Sequence, residues 1–377
     1  MASEPDLGPP LRETGTRLTV DLGSIAANWR LLAERAAPAA CAAVVKADGY
    51  GLGIEPVSRA LAAAGATAFF VAHLAEARQV RAVAPEATIY VLNGLVPGTA
   101  EAYAAIGARP VLGSRPEIEE WSRFAGGRGD APAAIQVDTG MNRLGLAMTE
   151  AAEVADRLTE GRLGFSPALA MSHFACADEP DHPLNARQRD LFADVRRLFP
   201  GVPASLANSA AILSGGAAGL CDLGRPGIAL YGGNAIPARA NPMAAVVCFE
   251  ARIIQLREVP AGATVGYGAT ETAKTPLRLA VASVGYADGL IRAAGSSDAR
   301  LGAPADVAGR RCPLVGRISM DLVALDVTLV PPDEVRPGDW ATLIGNAITI
   351  DEVAEAAGTI GYEILTGLGR RAHRIYV

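Results

Sequence analysis

Between Arg17 and Gly233 the chain repeats one pattern: a short apolar run, a turn, then a stretch with helical periodicity. After a first run at residues 18–22, eight further strand candidates end near Lys46, Ala72, Leu92, Leu112, Thr139, His173, Asn208 and Tyr231. Helical stretches lie between most of them, including residues 56–64, 117–124, 149–158 and 185–199. Strands that alternate with helices pair in parallel, because a parallel return needs a crossover of about a dozen residues or more. Eight such units predict an α/β fold with an N-terminal (β/α)8 TIM-type barrel. Chemistry in such barrels sits at the C-terminal strand ends. Lys46, Arg143, His173, Asn208, Ser209 and Arg225 all fall there.

The run at residues 18–22 is left over from that count and is free to pair with the second half of the chain. The helix after it is expected to start at Ser24 as N-cap and to bury Ile25, Trp29 and Leu32 on one face. Past Asn234 helical periodicity fades. Short β-rich runs take over at residues 245–256, 278–286, 306–308, 322–327 and 340–344, with one helix near 350–357. The expected organisation is a flexible tail over residues 1–16, a barrel over 17–241 and a mostly-β C-terminal domain over 242–377.

Half of the residues are hydrophobic, and the net charge is −6 without a basic cluster. Nucleic acid and membranes are therefore not expected partners. The first 15 residues lack the apolar core of a signal peptide. The five cysteines, Cys41, Cys176, Cys221, Cys248 and Cys312, are odd in number and lack metal-ligand or redox spacing. Reduced thiols, no metal and a cytoplasmic location are the expectation.

The run Val44-Val45-Lys46-Ala47-Asp48-Gly49-Tyr50-Gly51-Leu52-Gly53 carries the first chemical signal. A lysine at the end of an apolar strand is partly desolvated, which favours the neutral amine able to attack an aldehyde. That is the requirement for a Schiff base with pyridoxal 5'-phosphate, and Tyr50 lies within reach of a phosphate. The plain alternative is a snorkelling lysine that closes a core strand. The glycine run has the wrong spacing for dinucleotide binding.

Further blocks extend the pattern in order: Val137-Asp-Thr-Gly-Met-Asn-Arg143, Ser172-His173-Phe, Ala207-Asn208-Ser209, Arg225-Pro-Gly227-Ile228, Val265-Gly-Tyr267-Gly, Gly285-Tyr286-Ala-Asp, Gly316-Arg317-Ile-Ser-Met320-Asp321 and Gly361-Tyr362-Glu363. Together they resemble the alanine racemases, fold-type III pyridoxal-phosphate enzymes, from about Arg17 to Val377. The resemblance implies interconversion of L- and D-alanine, either to supply D-alanine for peptidoglycan or to use it. It also implies a homodimer whose active site is shared between chains.

Residue by residue, the resemblance places the cofactor on Lys46 and its phosphate on Tyr50, Tyr362, Ser209 and the backbone of Gly227 and Ile228, beside Asn208. Phosphate at the loops after strands seven and eight also agrees with barrels in general. Arg225 is implied to face the pyridine nitrogen, oriented by His173. An arginine donates a hydrogen bond there but gives up no proton, so the ring is a weaker electron sink than one opposed by a carboxylate. Racemisation needs a proton carrier on each face of the planar reaction centre. Lys46 is one, and the resemblance makes Tyr267 of the second subunit the other. The substrate carboxylate is assigned to Arg143 and the Met320 backbone, and Tyr286 with Tyr362 narrows the pocket. Arg317 and Asp321 are expected at the entrance.

One position departs from the family. Gln136 stands where many members carry a carbamylated lysine that braces the arginine. The expectation is that Arg143 is held by the Gln136 carbonyl, with or without a chloride, and that no carbamate forms. Glu271, where an aromatic is common in relatives, carries no inference. Two other readings stay open. A fold-type III amino-acid decarboxylase shares the plan but generally opposes the ring nitrogen with a carboxylate. A non-catalytic pyridoxal-phosphate-binding protein has no use for the Tyr267, Tyr286 and Met320 blocks.

Overall fold

The computed structural model of the chain describes residues 7–126, 128, 131–215 and 222–377. Seven parallel strands run in chain order from Ala43–Val44 through Ala68–Val71, Thr88–Val91, Ala108–Leu112, Ala133–Gln136 and Pro167–Met171 to Ala204–Ser205. The eighth, Leu223–Gly224, pairs in parallel with Ala40–Cys41, the segment just before Ala43–Val44. Arg225 N–H donates to the Ala207 carbonyl, and Ala42 N–H donates to that of Gly224, so the ring of strands closes. Each half of the first strand serves a different neighbour. Closure hides both sheet edges, which would otherwise offer unpaired N–H and C=O groups.

The eighth strand ends at Gly224 and not near Tyr231 as expected; Ile228–Tyr231 is a 3-10 helix. Its apolar side chains are buried without belonging to the sheet, which is why a run of them read as strand. The helix Leu22–Ala36 begins three residues before Ser24 would allow. Asp21 is the N-cap, accepting the Ser24 N–H at 2.7 Å and its hydroxyl at 2.8 Å. A carboxylate both satisfies orphan N–H groups and suits the positive helix end, so Asp21 outcompetes the serine. Ile25, Trp29 and Leu32 are buried as the periodicity requires.

The second half forms an eight-stranded sheet. Its long strand, Val247–Val259, pairs along one part of its length with Trp340–Ile344 and along another with Leu277–Ala282. The hairpin Pro304–Val307 and Arg310–Val315 and the strand Val323–Asp326 complete the circuit between them. The leftover run, Thr16–Val20, joins this sheet between Val247–Val259 and the C-terminal strand His373–Tyr376. Of the expected loose tail, residues 1–6 lie outside the described residues. From Leu7 onward the chain is held: the Leu7 carbonyl accepts from Arg374 N–H at 2.8 Å, and Thr14 donates to the Arg371 carbonyl at 2.9 Å.

Cys41 is buried enough to push its thiol up to about 12, and Cys248 and Cys312 are pushed to about 11 by the same desolvation. They stay protonated and inert near neutral pH. Cys221 lies outside the described residues. No helix among the described residues is long and apolar enough to cross a membrane.

Candidate active site

Lys46 opens a turn of unusual hand. Ala47, Asp48, Gly49 and Tyr50 have φ of 55°, 56°, 62° and 56°. This is one turn of left-handed helix, a conformation costing about 1–2 kcal/mol for each residue with a Cβ. It persists because its surroundings over-determine it. Gly49 N–H donates to the Val45 carbonyl at 2.9 Å, Gly51 N–H to Ala47 at 2.7 Å, and Ile54 N–H to Asp48 Oδ1 at 2.9 Å. Gly51 has no room for a side chain, since a Cβ there would lie 2.4 Å from the Leu365 carbonyl oxygen. Burial, and then the Arg143 charge, lower the Lys46 pKa, while Glu76 opposes them. Both leading causes favour the neutral amine.

Lys46 lines a cavity of about 460 Å³ at the C-terminal strand ends, with Tyr50, Arg143, His173, Asn208, Ser209, Arg225, Gly227, Ile228 and Tyr362. Ten of the thirteen predicted site residues thus converge in one chain. Arg225 is buried, donating to the Ser172 carbonyl at 2.6 Å and to Ser205 Oγ, with its guanidinium 5.8 Å over the Phe70 ring. It also approaches His173 Nδ1 at 3.4 Å. A guanidinium only donates, so that nitrogen is the acceptor. Burial, then Arg225, Arg143 and Lys46, hold His173 down to about 3. It is therefore a neutral imidazole at working pH.

A consequence for stability follows. Unfolded His173 takes up a proton below its ordinary value of 6.5, whereas the folded residue resists until about 3. Stability is full above pH 6.5 and declines as pH falls through this window, by about 1.4 kcal/mol per pH unit for this group. A His173→Asn variant should show a shallower decline in urea unfolding between about pH 6 and pH 4. An unchanged slope would count against a neutral buried histidine.

Part of the cavity lining forms a cradle. A Cβ on Gly227 would lie 2.2 Å from Tyr50 Oη, so glycine alone permits that approach. Tyr50 stacks on Tyr231 with ring centroids 4.4 Å apart. Gly227 N–H donates to Ser209 Oγ at 2.8 Å, leaving the serine proton free to point into the cavity. Ile228 N–H has no partner among the described residues. Tyr50 and Tyr362 are held as phenols by burial, Tyr362 at about 12. This set of neutral donors fits a phosphate, and the neighbouring amine fits an aldehyde.

Sequence reading missed several supports. Asp138 Oδ1 accepts the N–H groups of Gly140 and Met141, both at 2.9 Å, and so shapes the loop that carries Arg143. Its signal was an Asp before Thr-Gly, a turn-former whose side chain bonds its own backbone. Fully buried Gln188 donates to the His173 carbonyl at 2.9 Å and accepts from Ala175 N–H at 2.9 Å. Only the packed structure reveals that contact. Phe70, Leu92, Asn93 and Met171 also line the cavity.

The expectation for Gln136 needs correction. Its amide donates to the Leu144 carbonyl at 3.1 Å and makes no hydrogen bond to the Arg143 guanidinium. Gln136 therefore shapes the backbone beside Arg143 and leaves the charge unneutralised. The chain has two lysines, Lys46 and Lys274. Intact-mass measurement of the native protein should show no carbon dioxide adduct on either; an adduct would overturn this.

Tyr267, Tyr286 and Met320 stand apart from the cavity. They are 69%, 42% and 53% exposed, on three loops of the second half that touch one another. Tyr286 N–H donates to the Ser319 carbonyl at 3.0 Å, and Ala287 N–H to that of Met320 at 3.0 Å. The Tyr267 loop meets the same segment, since Gly266 and Gly268 both face Arg317. Within one chain, then, the cavity lining includes Lys46 and does not include Tyr267, Tyr286 or Met320.

Two family models match in series: "Alanine racemase, N-terminal domain" over residues 20–235 and "Alanine racemase, C-terminal domain" over residues 246–376. The chain belongs to the alanine racemase family. An alanine racemase of Methylobacterium nodulans is 56% identical, over 96% of each chain. A biosynthetic alanine racemase of Agrobacterium fabrum is 48% identical over 96% of this chain and 93% of the relative. Among solved structures, the alanine racemase of Bartonella henselae with covalently bound pyridoxal phosphate superposes with a TM-score of 0.89. It is 38% identical and covers 96% of this chain and 99% of that one.

Proposed function

We propose that the chain interconverts L- and D-alanine by a two-base mechanism that depends on pyridoxal phosphate. The observation that carries this is the convergence of Lys46, the Tyr50–Ser209–Gly227 cradle and Arg225 on one cavity. Lys46 would hold the cofactor aldehyde; Tyr50, Tyr362, Ser209 and the backbone of Gly227 and Ile228 would hold its phosphate, the Gly227 N–H acting through Ser209 Oγ. When bound, the cofactor supplies a conjugated ring that spreads the electrons of the substrate Cα–H bond away from that carbon.

The chain's own groups do the rest. Arg225, anchored on Ser205 and the Ser172 carbonyl, would meet the ring nitrogen as a donor without a proton to release. That limits electron withdrawal and favours proton return to Cα over side reactions. Arg143, presented by the Asp138 turn, receives the substrate carboxylate. Lys46 moves the Cα proton on one face. Tyr267 does so on the other, from the partner of a homodimer, with the Met320 backbone and Tyr286 closing the pocket. The exposure of all three supports a shared site. The division into a barrel over 17–241 and a β domain over 242–377, working in the cytoplasm, belongs to the same reading. Relatives named biosynthetic and catabolic match at 48% and 45% identity, so the likeness carries the reaction and not its direction of use.

The test is alanine in deuterated water with the cofactor-loaded protein. Each enantiomer should lose optical rotation while gaining deuterium at Cα. Release of carbon dioxide would instead favour a decarboxylase, and no reaction with cofactor bound would favour a carrier.

A further inference from the structure

We propose that Glu76 is a positioning residue for Lys46, its carboxylate tying the left-handed turn that carries this lysine to the end of the second barrel strand. The inference rests on the assignment of Lys46 as the cofactor-bearing amine. Glu76 lies in the first turn of the helix Leu74–Val83. Its Oε2 accepts the N–H groups of Ala72 at 2.7 Å and His73 at 3.0 Å, the ordinary work of a glutamate at a helix start. Its Oε1 is not needed for that cap. It accepts the N–H of Ala47, 29 positions away, at 2.7 Å.

A purely structural stitch is the competing explanation, and the barrel contains one. Glu117, in the first turn of Arg115–Ala125, takes Gly113 N–H at 2.9 Å with one oxygen and Leu95 N–H at 2.8 Å with the other. The two glutamates differ in what they tie. Leu95 is an ordinary loop residue, whereas Ala47 follows Lys46 directly and sits at a φ of 55° that alanine rarely adopts. Its N–H is the first backbone group after the lysine, so clamping it sets the direction in which the amine leaves the strand. Glu76 is also the acidic side chain whose field opposes the loss of the Lys46 proton. The carboxylate that fixes where the amine points thus also offsets part of the proton loss that burial and Arg143 favour.

The two-lysine composition makes this measurable without turnover. Exposed Lys274 serves as an internal reference for acylation of Lys46 in the cofactor-free chain. In Glu76→Gln, deuterium exchange of the peptide spanning residues 46–53 should speed up about tenfold. The Lys46-to-Lys274 acylation ratio at neutral pH should rise at least about twofold, because a proton-holding charge is gone. Glu117→Gln should loosen residues 94–98 and change neither reading. Unchanged exchange and acylation in Glu76→Gln, or the same Lys46 response in Glu117→Gln, would overturn the proposal. Should Glu76→Gln fail to fold, Glu76→Asp keeps the charge but falls short of Ala47; unchanged exchange there would be equally decisive against it. Borohydride trapping of pyridoxal phosphate on wild-type Lys46 is run alongside. Its absence sinks the cofactor assignment, independently of what exchange says about Glu76.

Discussion

Racemisation is expected to recover when two inactive variants are mixed. Lys46→Ala should lose borohydride-fixed cofactor together with activity, by on the order of 10⁴-fold or more, since no other group in the cavity can form the imine. Tyr267→Phe should keep the trapped cofactor and still lose about 10²–10⁴ in kcat, the usual contribution of a positioned proton carrier. In a two-fold dimer with shared sites, co-refolded variants form mixed dimers with one doubly mutated and one intact site. Random pairing then restores about a quarter of wild-type activity. If Tyr267 served its own chain, mixing would restore nothing.

Arg225→Glu is the second large effect. Arg225 is buried, and its guanidinium bonds to Ser205 and the Ser172 carbonyl beside a neutral His173. A carboxylic acid in its place can hand a proton to the ring nitrogen and strengthens electron withdrawal. Racemisation should fall by about 10²-fold or more, while transfer of the alanine amino group to the cofactor, which releases pyruvate, should rise to a measurable level. The readout is pyruvate formed per racemisation event. A ratio equal to the wild-type value would show that this residue does not govern the ring. Removal of the buried charge also costs stability, so the ratio is the informative quantity and not the total rate.

Much of this site was legible because the barrel makes position along the chain equivalent to position in space. Residues at successive strand ends must meet at one rim, so Lys46, Arg143, His173, Asn208, Ser209 and Arg225 could be grouped before any contact was known. Alternation and turn composition likewise marked the change to β structure after Asn234. Ile228–Tyr231 misled, because apolar content reports burial and not the period of the backbone.

What the chain order determined by itself was the fold class, the lysine, and the ring of residues about it, all of which rest on local patterns repeated at regular intervals. Packing alone decided the left-handed turn at Ala47 and Asp48, the clamp by Glu76 and the attachment of Gln136 to Leu144. These depend on which distant backbone groups arrive beside a side chain. Such pairings carry no periodic signal, because the free energy that selects them comes from tertiary neighbours and not from the residue's own preference.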